Sequence, residues 1–111
     1  MEQSKKDDLT SKVLNPMEMI EYQKDAVVSK TLINKNTGTI TLFAFDKEQS
    51  LSEHTAPYDA MVCVTDGQAE ITISGIAYKL EKGEMIIMPA NKPHAVKASS
   101  AFKMMLIMIK S

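Results

Sequence analysis

Residues 51–98 read LSEHTAPYDAMVCVTDGQAEITISGIAYKLEKGEMIIMPANKPHAVKA. Within this stretch turn formers recur at short intervals: Asp66-Gly67, Ser74-Gly75, Lys82-Gly83, then Pro89 and Pro93. Between them the residues alternate. Ala60, Val62 and Val64 alternate with Met61, Cys63 and Thr65, and Ala69, Ile71 and Ile73 alternate with Glu70, Thr72 and Ser74. A period of two sends successive side chains to opposite faces of a strand. Apolar residues on one face and polar ones on the other mark a strand between a core and water. Tyr78 and Leu80 belong to a further strand, and the run Met85–Met88, stopped by Pro89, to another. Short strands at this spacing predict an all-β sandwich or barrel.

Outward from this centre the pattern continues. Thr39 to Phe45 places Ile40, Leu42 and Ala44 on one face and Thr41, Phe43 and Phe45 on the other, so both faces are expected to be at least partly buried. Phe102 to Ile109 is apolar at every position except Lys103, which leaves a strand there without a solvent face. Large apolar patches usually mark interfaces, so a second subunit is the expected cover and the chain is expected to be a homodimer. Residues 1–15 are polar, with isolated Leu9, Val13 and Leu14 ahead of Pro16, and are read as an arm that is mobile or docks on a partner. Residues 16–111 form the single domain.

Length and composition set the bounds. A chain of 111 residues supports one hydrophobic core, and 44% hydrophobic with 24% charged residues is ordinary for a globular domain. Net charge is −1, and all 13 basic residues are lysines, so no guanidinium fork is present and nucleic acid is not an expected partner. One cysteine, Cys63, closes no internal disulfide. The first twelve residues lack the apolar segment of a secretion signal, and Met104–Ile109 is far shorter than the roughly 20 residues that span a bilayer. The expected location is the cytoplasm, without membrane attachment.

The segment His54-Thr55-Ala56-Pro57-Tyr58-Asp59-Ala60, followed by Gly67, resembles the first consensus motif of the cupin superfamily, in which a His-x-His pair precedes Glu and Gly. His54 and Gly67 match, while Ala56 and Ala60 stand where a histidine and the glutamate would be. Gly83, Pro89 and His94 fall at the spacings of the second motif, with Asn91 and Ala98 at its second glycine and its asparagine. The phrases around His54 and His94 look like those of short single-domain bacterial cupins. The resemblance implies a double-stranded β-helix, or jelly-roll barrel, and no particular reaction, since cupins include enzymes, storage proteins and sensors.

In metal-binding cupins three histidines and a glutamate converge on the ion. Here the chain contains two histidines, so a three-histidine site within one subunit is impossible. The residues carried to the cavity by the family frame are His54, His94, Ala56, Tyr58, Ala60 and Val62. No cofactor is expected; if iron, manganese, nickel or zinc were held, the ligands would be His54, His94 and Asp59, although strand alternation turns Asp59 away when Ala60 points inward. Cys63 and the methionines Met104, Met105 and Met108 read as packing residues. Lys92 and Lys97 flank His94 and offer charge to an anion, a weak signal in exposed lysines. Three readings stand: a metal-free pocket for a small polar molecule, with proton transfer by histidine; a metal-dependent dioxygenase- or isomerase-like enzyme; or a dimeric scaffold without chemistry.

Overall fold

Alternation in the sequence becomes alternation of burial. In the strand Asp59–Asp66, Ala60, Val62 and Val64 are buried while Met61 and Cys63 are only partly so. In Gln68–Ile73 the buried set is Ala69, Ile71 and Ile73. The computed structural model describes residues 8–110. In chain order the strands are β1 Val27–Lys35, β2 Gly38–Phe45, β3 Ser50–His54, β4 Asp59–Asp66, β5 Gln68–Ile73, β6 Ile76–Glu81, β7 Met85–Met88, β8 His94–Lys97 and β9 Phe102–Ile109. A short 3-10 turn, Pro16–Glu18, precedes them, and among the described residues there is no α-helix and no helix long and apolar enough to cross a membrane.

The strands form a five-stranded sheet, β1-β2-β9-β4-β7, and a four-stranded sheet, β3-β8-β5-β6, with every pairing antiparallel. Their inner faces share one core, in which Phe45 and Phe102 are fully buried and stack at 4.6 Å with an 8° angle between the rings. This is the expected jelly roll. Two turns differ in use. Ser74-Gly75 closes a two-residue hairpin between β5 and β6, both residues having positive φ (50° and 83°), as such loops require. Asp66-Gly67 instead joins strands of different sheets and forms a corner. A Cβ on Gly67 would lie 2.4 Å from the Ala101 carbonyl oxygen, so only glycine fits there.

Outside the five-stranded sheet, residues before β1 supply part of the cover that Phe102–Ile109 needs. Ile20 packs with Leu42 and Ala44, and Met19, Tyr22, Val28, Leu32 and Met105 surround them. Buried Lys103 donates to the Met17 carbonyl oxygen at 2.7 Å, with its Nζ 5.0 Å from the Tyr22 ring centre. The Tyr22 hydroxyl donates to Asp66 at 2.6 Å; burial, and then that carboxylate, push its pKa well above the usual phenol value. Leu9 and Leu14 of the arm border a groove with Leu32, Ile33, Ile40 and Met105 of the same chain, whereas residues 1–7 lie outside those described. Near β7 the outer face is open: Met85, Ile87 and Ile109 are more than half exposed.

Candidate functional site

β3 and β8 are antiparallel neighbours, and their register sets His54 directly opposite His94. A register shift between Leu51 and His54 ends β3 irregularly. The approach to His94 is built by local chemistry: Asn91 takes a left-handed φ of 65°, which asparagine tolerates best among non-glycine residues. Its N–H donates to the Ala56 carbonyl oxygen at 2.7 Å, tying together the loops that carry the two histidines. The Pro93 carbonyl accepts from the Ser74 N–H at 2.9 Å, fixing the chain just before His94.

The imidazoles meet edge to face, with centroids 4.3 Å apart and 71° between planes, and the two Nε2 atoms are 3.1 Å apart. The His54 Nδ1 lies 3.0 Å from the Ser52 carbonyl oxygen, and the His94 Nδ1 lies 3.3 Å from that of Lys92. A carbonyl oxygen only accepts, so a ring bonded there donates its Nδ1–H. The Nε2–Nε2 contact is itself a hydrogen bond and needs one proton between the rings, one Nε2 donating and the other accepting. Imidazoles linked in this way can pass a proton to or from the polar group of a bound molecule. Burial, and secondarily charge on His54, lower the pKa of His94 below 6.5, with a smaller opposing effect from the Lys92 carbonyl.

The pair borders a cavity of about 140 Å³ between the sheets. His54 is exposed at its mouth and His94 is buried in its wall. The remaining lining is Phe43, Leu51, Met88, Val96, Met104, Leu106 and Met108, all apolar. Four residues expected in the pocket lie elsewhere. Ala56 is held in a loop by its bond to Asn91, and Tyr58 lies with its ring 5.9 Å from the Lys110 ammonium. Ala60 is buried in the shared core and does not line the cavity, whereas its cross-strand partners Met88 and Met108 do. Val62 is buried one step deeper in the core. The methionine walls follow from alternation along β9, which turns Met104, Leu106 and Met108 inward; the sequence shows that alternation only once the strand has a partner register.

Asp59 is turned away as alternation requires. It is exposed, and its carboxylate accepts from the Ala90 N–H at 2.8 Å. Among the described residues no group of three or more His, Cys, Asp or Glu side chains is placed to hold a metal ion.

The cupin domain family model matches residues 41–110. The chain belongs to the cupin family. It is similar to a conserved protein of unknown function from Streptococcus pyogenes, 40% identical over 91% of this chain and 89% of that one, with a TM-score of 0.87. A cupin 2 conserved barrel domain protein from Leptotrichia buccalis is 42% identical over 85% of this chain, which spans 46% of that longer protein, with a TM-score of 0.83. A cupin superfamily protein from Desulfitobacterium hafniense, 28% identical over 91% of this chain and 93% of that one, gives 0.86. No functionally curated protein matches. The residues of this cupin do not fit the three-histidine, one-glutamate metal site that the resemblance implies: the site offers two nitrogens, alanines at the other two ligand positions, and no carboxylate.

Proposed function

We propose that this cupin binds a small polar molecule in the barrel cavity, with its polar group against the hydrogen-bonded His54–His94 pair, which can exchange a proton with it. The observation that supports this is the 3.1 Å separation of two Nε2 atoms whose partner nitrogens both face carbonyl oxygens. An imidazole accepts such a proton readily, its ordinary pKa being near working pH. Size narrows the ligand: 140 Å³ equals the liquid volume of about five water molecules, well below a drug-sized pocket. Apolar walls favour a short hydrocarbon or aromatic body behind the polar group.

Thermal denaturation of metal-free protein against a panel of small carboxylic acids, phenols and sugars tests this. A ligand at 100 times its Kd adds about 2.7 kcal/mol, an increase in Tm on the order of 10 °C for a domain of this size. His54→Leu and His94→Leu should abolish the shift. An unchanged Tm across the panel contradicts the reading.

The open strip of Met85, Ile87 and Ile109, continued by partly covered Met61 and Ile107, supports a second proposal, that two copies associate through this face. An Ile87→Glu/Ile107→Glu variant should scatter light as a monomer where the natural sequence scatters as a dimer; equal masses overturn the proposal. Cys63 is an unpaired thiol, which suits the reducing conditions of the cytoplasm, the location we propose.

A further inference from the structure

We infer that the molecule taken up by the cavity is a small monocarboxylate, bound against an imidazolium–imidazole pair in which His54 carries the positive charge. This rests on the small-molecule reading above and names the chemical class of the ligand.

A count of protons carries it. The pair makes three contacts: His54 Nδ1 with the Ser52 carbonyl oxygen at 3.0 Å, His94 Nδ1 with that of Lys92 at 3.3 Å, and Nε2 with Nε2 at 3.1 Å. The carbonyl oxygens only accept, and two facing nitrogens share one N–H, so every proton comes from a ring. All three bonds together use three N–H protons. Two neutral imidazoles carry only two, so the fully bonded pair is one imidazolium and one imidazole, with a single positive charge.

The charge belongs on His54. That ring is exposed at the mouth while His94 is buried, and burial disfavours the charged form of an imidazole. Of the two bonds to carbonyl oxygen, the one from His54 is the shorter, as charge on a donor makes it. His54 is then the Nε2–H donor across the pair, and His94 the acceptor.

The protein supplies no counter-charge. Both partners outside the pair are backbone oxygens, and the facing strands β2, β7 and β9 bring only hydrocarbon and thioether side chains to the cavity. Glu53, Lys92 and Lys97, beside the histidines in sequence, are exposed; Asp59 is held by the Ala90 N–H; and Glu70 of β5 pairs in register with Lys97, on the face away from the cavity. An unpaired charge beside an apolar space is costly. One carboxylate entering at the mouth accepts from the exposed His54 ring and neutralises the pair. A second anionic group would meet side chains with no donor for it, so the ligand carries one negative charge on an apolar body. A neutral ligand leaves the pair either charged and unpaired or short of one hydrogen bond.

The test is calorimetric titration of metal-free protein with 3-methylbutanoate and with benzoate, each against its own neutral amide. A carboxylate should bind about 10–100-fold more tightly than the amide of the same shape, the worth of a hydrogen bond to a charged group. At about pH 8, above the ordinary imidazole pKa, titrations in two buffers of different ionisation enthalpy should show net proton uptake with the carboxylate and none with the amide. His54→Gln keeps a hydrogen-bonding group that cannot become cationic, and should erase the preference; an unchanged melting curve shows that it folds. Lys92→Gln/Lys97→Gln removes the exposed lysines, leaves the pair, and should keep the preference. Equal affinity for carboxylate and amide, no proton uptake, or a preference that survives His54→Gln and vanishes with the lysines overturns the inference and leaves the small-molecule reading standing. No binding of any of the four probes also overturns it, and the small-molecule reading falls with it only when the thermal panel shows no shift.

Discussion

Phe102→Ala is expected to lower the unfolding free energy by about 3–5 kcal/mol. The ring is fully buried and stacked on Phe45, its direct cross-strand partner between β2 and β9. Truncation removes the transfer free energy of the ring and also leaves a cavity that neighbours on two sheets cannot close without moving the strands. Stacked aromatic pairs add about 0.5–1.5 kcal/mol beyond burial. A domain of this size has a total stability of only about 5–15 kcal/mol, so the variant should sit near the edge of folding. Urea unfolding measures the loss. Ile76→Ala, at an exposed position beside the β5–β6 turn, serves as the control and should change stability by no more than about 0.5 kcal/mol.

Gly67→Ala should cost about 2–4 kcal/mol, with the same measurement as the check. Two effects add at this corner. The φ of +73° is left-handed, which costs a residue with a side chain about 1–2 kcal/mol, and the new Cβ would sit 2.4 Å from the Ala101 carbonyl oxygen and 3.0 Å from the Phe102 Cα. Both obstacles are backbone or close to it, so the strand junction itself must give way. Gly75→Ala separates the two effects. That glycine is also left-handed, at +83°, but nothing lies within 4 Å of its added Cβ, so only the conformational part, about 1 kcal/mol, should appear. Equal losses in the two variants would show that crowding at the corner is relieved at little cost.

Much of the architecture could be read before any coordinates, for a physical reason. β4, β5, β7 and β9 carry apolar residues at the period of a strand or in short unbroken runs, and proline or glycine bounds the first three. β1 has no clear strand pattern in the sequence, because Val27–Lys35 is largely exposed and mixes lysine, serine and threonine among its apolar residues. β3 is largely exposed too, and β8 is only four residues long. Asp66-Gly67 reads as a turn from its composition, and that it joins strands of different sheets is not encoded in local propensity. At the site, spacing relative to the cupin frame located both histidines. It did not locate the walls, which depend on the register that sets Met88 and Met108 on either side of Ala60. That register is a property of three strands distant in sequence.

His54 and His94 meet through their Nε2 atoms, and burial favours the neutral form of His94. Long-range ¹⁵N–¹H NMR of metal-free protein, followed as a function of pH, tests it most directly. The expected spectra show a nuclear Overhauser contact between ring protons of His54 and His94. His94 should titrate below 6.5, so the native chain binds fewer protons than the unfolded one as pH falls through that value, and stability declines with it. No contact between the two rings, or a His94 midpoint at or above 6.5, would contradict the account.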